Sequence, residues 1–137
     1  MKLLTKHTDY AISALLVLAG NKQSFMSARE IAKKESIPYR FLRSILRELI
    51  KNDLVISREG SGGGFKIKVN PDPLKITDII EIFQGNIQLL QCEFREKLCV
   101  NHSTCVLKRQ VHEIEKIVIE KFSDITIGSL LKDSKKN

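Results

Sequence analysis

Residues 38–52 read Pro-Tyr-Arg-Phe-Leu-Arg-Ser-Ile-Leu-Arg-Glu-Leu-Ile-Lys-Asn, and this stretch decides the fold. Leu42, Ile45, Leu46, Leu49 and Ile50 fall at the i, i+3, i+4, i+7, i+8 spacing of one buried helical stripe. Arg40, Arg43, Arg47 and Lys51 recur every three or four residues. They form a second stripe that faces away from the first. A helix built this way can be clamped to a core on one side and show guanidinium groups to a partner on the other. Arginine suits bidentate contacts with phosphates and with guanine edges in the DNA major groove. A plain solvated face is the blander meaning of the same charges. The flanking segments decide between the two.

Upstream, Ser27-Ala28-Arg29-Glu30 is a capping box, with Met26 and Ile31 at the two staple positions. It predicts a short helix from about Ala28 to about Glu35. Ser36-Ile37-Pro38 is then a turn, and Pro38 suits the first turn of the next helix. Farther back, Thr8 as N-cap and Gly20 as stop predict a helix over 8–19, with Ala11, Ile12, Leu15, Leu16, Leu18 and Ala19 inward. A helix, a tight turn and a basic amphipathic helix make a helix-turn-helix.

Downstream the period changes to two. Leu54-Val55-Ile56-Ser57-Arg58 reads as a strand and Phe65-Lys66-Ile67-Lys68-Val69 as its return, joined by Glu59-Gly60-Ser61-Gly62-Gly63-Gly64. A hairpin directly after a recognition helix is the wing of a winged helix. The glycine run lacks the Lys-Ser/Thr of a P-loop and does not lead into a helix, so nucleotide binding is not expected. Asn70-Pro71-Asp72-Pro73 is a rigid connector, and Thr77 caps a helix to about Gln84 with Ile76, Ile79, Ile80 and Phe83 inward. From about Ser103 to Phe122 a long helix follows. Leu107, Val111, Ile114, Val118 and Phe122 mark its apolar stripe, widened by Ile117 and Ile119. A helix of about 20 residues spans about 30 Å, more than a small winged-helix core needs. Its simplest cover is a second copy of the chain; packing on its own domain is the alternative.

The expected architecture is mostly helical with a small β-hairpin wing. It divides into a winged helix-turn-helix DNA-binding domain (1–84), a cysteine-containing loop (85–102), a dimerisation helix with a short C-terminal helix (103–131) and a disordered tail (132–137). The 137 residues carry a net charge of +7. All of this excess lies in residues 1–70, which hold 13 Lys+Arg against 6 Asp+Glu, whereas residues 71–137 hold 10 of each. Such asymmetry is the footprint of a polyanion-binding module. The N-terminus has no long apolar segment and no run approaches 18 apolar residues, so a cytoplasmic, non-membrane protein is expected.

Cys92, Cys99 and Cys105 are the three cysteines, and they stand among polar residues. An odd count argues against a disulfide framework. CxxC is absent, so a zinc ribbon is excluded, yet three thiolates this close can close round one metal centre. Cys92, Cys99, His102 and Cys105 could form a Cys3His zinc site. Alternatively the three thiolates hold an iron–sulfur cluster with a fourth ligand from elsewhere.

The motifs, in order, are His-Thr-Asp-Tyr-Ala (7–11), Ile-Pro-Tyr-Arg-Phe-Leu (37–42), Gly-Ser-Gly-Gly-Gly-Phe (60–65), Ile-Thr-Asp-Ile-Ile-Glu (76–81), three cysteines and a long helix. Over about residues 3–131 the chain resembles the IscR/NsrR (Rrf-type) family of bacterial winged-helix transcription regulators. The resemblance implies a homodimer joined by the long helices, a palindromic operator in double-stranded DNA, and a cluster on the three cysteines that modulates DNA affinity. Several members respond to nitric oxide, iron or redox state. IscR-like members place a histidine ligand where this chain has Lys108. NsrR-like members use an aspartate that matches Asp9, contributed across the dimer, and this favours a four-iron over a two-iron cluster. The chain departs from the family in a first cysteine gap of six residues rather than five. It departs also in Glu59, where many wings carry arginine, and in Arg43, where IscR has glutamate.

On this reading the candidate DNA contacts are Ser27, Arg29, Tyr39, Arg40, Arg43, Ser44, Arg47, Arg58, Ser61, Gly62 and Gly63. The expected function is a regulator, most simply a repressor, under cluster control. A cluster-free regulator gated by thiol oxidation or zinc is the alternative. The sequence offers no nucleophile–base pair and no cofactor loop, so enzymatic activity is not expected.

Overall fold

A computed structural model describes residues 2–90 and 104–136 of the chain. The elements are α1 (Lys6–Gly20), α2 (Ala28–Glu35), α3 (Tyr39–Lys51), β1 (Val55–Arg58), β2 (Gly64–Ile67), α4 (Ile76–Gln84), α5 (Val106–Ser123) and α6 (Ile127–Lys136). The fold is a winged helix-turn-helix, mostly α with one hairpin, as the periodicities predict.

The core forms where α1, α2, α3 and α4 bring their stripes together. Leu15, Leu18, Ile31, Leu42, Ile45, Leu49 and Ile79 are completely buried. Each such side chain contributes about 1.5–3 kcal/mol relative to its exposed state. Ser27 caps α2 as expected: its hydroxyl accepts from the Glu30 amide at 3.2 Å and donates to the Glu30 carboxylate at 3.1 Å. Met26 and Ile31, the staple pair, are both buried. Ser36 ends α2 in the left-handed region, at φ 53, and Pro38 is the N-cap of α3 rather than a residue of its first turn.

Two further caps differ from expectation. The cap of α1 is Thr5, not Thr8; Thr5 Oγ1 accepts from the Thr8 amide at 3.3 Å and shares a 3.0 Å hydroxyl contact with Thr8. Thr8 is wholly buried in the first turn. The cap of α4 is Lys75, not Thr77, and the Lys75 amide donates to the Asp78 carboxylate at 3.1 Å. Lys75 is held extended because it bridges to Thr126, with the Ile76 amide donating to the Ile125 carbonyl at 3.0 Å. The helix therefore starts directly after that bridge.

The wing is antiparallel, with Val55 opposite Ile67, Ile56 opposite Lys66, Ser57 opposite Phe65 and Arg58 opposite Gly64. Met26 and Phe65 exchange backbone hydrogen bonds at 2.9 and 2.8 Å, so the chain before α2 forms a third edge of the hairpin. Gly64, at φ 138, is required there: a Cβ would meet the Met26 carbonyl oxygen at 2.5 Å.

The C-terminal end corrects the expected segmentation. Residues 132–136 are not a disordered tail but the last turns of α6. Ile127 is completely buried and Leu131 packs against the main core. The Ile127 and Gly128 amides donate to the carbonyls of Leu74 and Pro71 at 2.8 and 2.9 Å. The final helix thus completes the winged-helix unit. By contrast α5 buries none of its residues.

Candidate nucleic-acid interface and thiol site

The outward face of α3 follows from its inward one. With Leu42, Ile45, Leu46 and Leu49 in the core, Tyr39, Arg40, Phe41, Arg43, Ser44 and Arg47 are all left exposed. None of the arginines on this face pairs with a carboxylate among the described residues. Their partners are rings instead. Tyr39 lies between two guanidinium groups, Arg29 at 6.0 Å and Arg43 at 5.9 Å. Phe41 lies between Arg40 at 6.0 Å and His7, whose ring meets it in a T-shaped contact with centroids 5.5 Å apart. Arginines whose partners are ring faces rather than carboxylates keep their donor edges free for phosphates and base edges.

Ser27 and Arg29 sit at the start of α2, with Arg29 exposed beside the α3 face and the Ser27 hydroxyl engaged in capping. In the wing, Ser61 and Gly62 are exposed at the tip and Gly63 is half-buried. Arg58 folds back, donating to the Gly62 carbonyl at 3.1 Å. The sequence reading missed Phe41 and His7. Phe41 falls one residue before the buried stripe, so helical geometry had already placed it outward. His7 lies too far along the chain for any local pattern to reach.

Of the candidate metal ligands, Cys92, Cys99 and His102 lie outside the described residues. Cys105 is half-buried and free, and it caps α5: its Sγ accepts from the Lys108 amide at 3.4 Å. Hydrogen bonds to sulfur are a feature of cluster thiolates. Asp9 lies in the first turn of α1, exposed, with no side-chain partner among the described residues. The start of α1 is tied to the end of α4, since the Gln84 amide group accepts from the Thr5 amide at 2.9 Å and donates to the Leu3 carbonyl at 3.1 Å. Farther on, the Leu89 amide donates to the Glu115 carboxylate at 2.9 Å. The chain leading towards the cysteines is thereby anchored near both Asp9's helix and α5. Thiolate sulfur suits an iron–sulfur cluster and zinc alike, so Cys105 is compatible with either.

Of α5's expected seam, Leu107 and Ile114 are exposed, at 60% and 53%, whereas Val111, Val118 and Phe122 are half-buried. Val106 and Ile117 are exposed at 60% and 57%. Leu107, Ile114, Val106 and Ile117 fall within about 100° of the helix circumference.

Residues 4–133 match the family model described as "Rrf2: Iron-dependent Transcriptional regulator". A protein of Aquifex aeolicus (strain VF5) described as an HTH-type transcriptional regulator is 32% identical over 130 residues, covering 93% of this chain and 90% of its own length. NsrR of Shouchella clausii (strain KSM-K16), another HTH-type transcriptional regulator, is 28% identical over 93% of this chain and 87% of its own. Among solved structures, CymR (YrzC), the global cysteine regulator of B. subtilis, superposes with a TM-score of 0.80 at 22% identity, covering 96% of this chain and 98% of that one. These relatives are transcriptional regulators, not enzymes, and no helix among the described residues is long and apolar enough to cross a membrane. With nearly its whole length matched, the chain belongs to the Rrf2 family of transcriptional regulators.

Proposed function

We propose that this regulator binds a palindromic operator as a homodimer, most simply as a repressor, and that an iron–sulfur cluster controls its DNA affinity. The observation that carries the reading is α3: one side wholly buried, the other an exposed row of Arg40, Arg43, Ser44 and Arg47 free of carboxylate partners. Residues of α3 would read base edges in the major groove, with Ser27 and Arg29 on the flanking backbone and Arg58, Ser61, Gly62 and Gly63 at the wing. Leu107 and Ile114 would form the centre of the dimer seam, with Val106 and Ile117 beside them and Val111, Val118 and Phe122 at its margin.

Cys92, Cys99 and Cys105 would hold the cluster, with Asp9 of the partner subunit as fourth ligand and four irons favoured over two. When bound, the cluster supplies a centre that reacts with nitric oxide or oxidants. Asp9's own role is to offer an oxygen ligand from the first turn of α1, whose neighbour His7 packs on Phe41 of α3. A ligand on that turn therefore bears on the DNA-reading helix. The name NsrR on a relative matched over 93% of this chain supports the cluster reading. The cysteine-regulator neighbour, together with Lys108 in place of a histidine ligand, supports a second one, a cluster-free regulator gated by thiol oxidation or by zinc on the cysteines and His102.

Protein purified without oxygen decides between them. Visible absorption with matched iron and sulfide supports the cluster, whereas colourless protein with zinc or no metal supports the second reading. Asp9→Ala should shift the cluster spectrum and the nitric oxide response while the fold persists. A spectrum unchanged by Asp9→Ala but abolished by His102→Ala would remove Asp9 from the ligand set.

A further inference from the structure

Phe25, which no DNA-binding role yet includes, sits in the loop between α1 and α2 under the wing. Pleat geometry explains its position. Met26 pairs with Phe65, and the side chains of both belong to the core side. Phe25, one residue earlier, is turned to the opposite face of the hairpin. The register puts Ile56, Lys66 and Arg58 on that same outer face, because Val55 and Ile67 face inward. The contacts agree. The Arg58 guanidinium lies 4.3 Å and the Lys66 ammonium 5.7 Å from the Phe25 ring centroid. Neither cation has a carboxylate partner among the described residues.

Two cations gathered on one ring repel each other, and an anion between them would relieve the repulsion. The ring attracts both and restricts their motion, and the Gly62 carbonyl holds the guanidinium from a second direction. The cluster lies between the start of α2 and the wing loop, the two elements that flank a recognition helix on the DNA backbone. We infer that Phe25 is a positioning residue for DNA binding, whose ring assembles Arg58 and Lys66 into a phosphate clamp at the base of the wing. Cations on the strand face would let this wing grip the backbone although its turn begins with Glu59. The inference rests on the DNA-binding reading of α3.

The test uses the full-length protein and a fluorescein-labelled duplex recovered from a random-sequence pool by the wild-type chain. Affinity is measured across a potassium chloride series, with melting temperature alongside. Phe25→Leu should weaken binding about tenfold and flatten the log–log salt slope by about 0.9–1.8, the loss of one or two phosphate contacts. Phe25→Tyr, which keeps the ring, should restore both. Arg58→Gln and Lys66→Gln, changes at the surface of the wing, should each flatten the slope. Adding Phe25→Leu to that pair should change little more. A Phe25→Leu protein with lowered melting temperature and wild-type slope overturns the inference, as do unchanged slopes in both glutamine variants. If Phe25→Leu does not fold, those two variants alone decide. Arg43→Ala and Arg47→Ala separate the readings: wild-type affinity in both variants, or no duplex recovered at all, overturns the DNA-binding reading of α3 itself.

Discussion

Helices α3 and α5 carry the same kind of pattern and meet opposite fates. Both have an apolar stripe at helical spacing and charge elsewhere. In α3 the stripe is sealed, with Leu42, Ile45 and Leu49 at 0% exposure. In α5 no residue is buried, and Leu107, Ile114 and Ile117 remain more than half exposed. Periodicity declares that a stripe exists; it does not say what covers it. The polar faces differ in the same sense. On α3 the charged side is nearly all cationic, whereas α5 alternates signs, with Lys116 and Glu113 paired at 3.2 Å and His112 against Glu115 at 3.4 Å. One helix is a finished core element with an exposed, mostly cationic outer face. The other is solvated on its charged side and unfinished on its apolar one.

The sharpest way to break this contrast is to cut each stripe. Leu42→Ala should destabilise the protein by about 2–5 kcal/mol, because the sealed site leaves a cavity; urea denaturation reads it. A loss below about 1 kcal/mol would show that α3 is not clamped as described. Ile114→Asp should do the reverse, dissociating the proposed dimer with a loss of about 2 kcal/mol or more in association while leaving monomer stability within about 0.5 kcal/mol. Sedimentation measures the first and thermal melting the second. A dimer of native affinity in this variant would place the seam elsewhere.

Smaller effects test the outer faces. Arg43→Ala and Arg47→Ala should each weaken binding to the selected duplex by about 1–3 kcal/mol if the side chain reads a guanine edge, with the fold intact. Gel-shift titration checks this, and unchanged affinity in both would displace α3 from the groove. The smallest effect belongs to a local device. Ser27→Ala removes the hydroxyl that accepts from the Glu30 amide and should cost about 1 kcal/mol of stability. A melting curve identical to wild type would mean that the cap is replaced by water at no loss.

Much of the site was legible because its signals are local. Arg40, Arg43 and Arg47 could be placed outward from the stripe beneath them, and the Ser27 cap and glycine turn lie within a few residues of what they control. The misplaced cap of α4 has a long-range cause. Thr77 is the better capping residue by type, but Lys75 is fixed by a bridge to Thr126, far along the chain. The tail expected over 132–137 failed for the same reason. Its polar composition gives no hint that Ile127 and Leu131, just before it, dock on the core and carry the helix onward.

The sequence by itself determined the order of elements, the two faces of α3, the wing and the concentration of positive charge around them. Each follows from side-chain period, caps and turn residues acting over one or two helical turns. Tertiary structure alone decided that α6 closes the winged-helix unit, that His7 packs on Phe41, and that Phe25 gathers Arg58 and Lys66. Those contacts join residues separated by tens of positions, and only the folded backbone fixes which side chains meet. It also decided which part of the α5 stripe stays open. Partial cover of Val111, Val118 and Phe122 leaves Val106, Leu107, Ile114 and Ile117 facing out, a division that a repeat every three or four residues cannot specify.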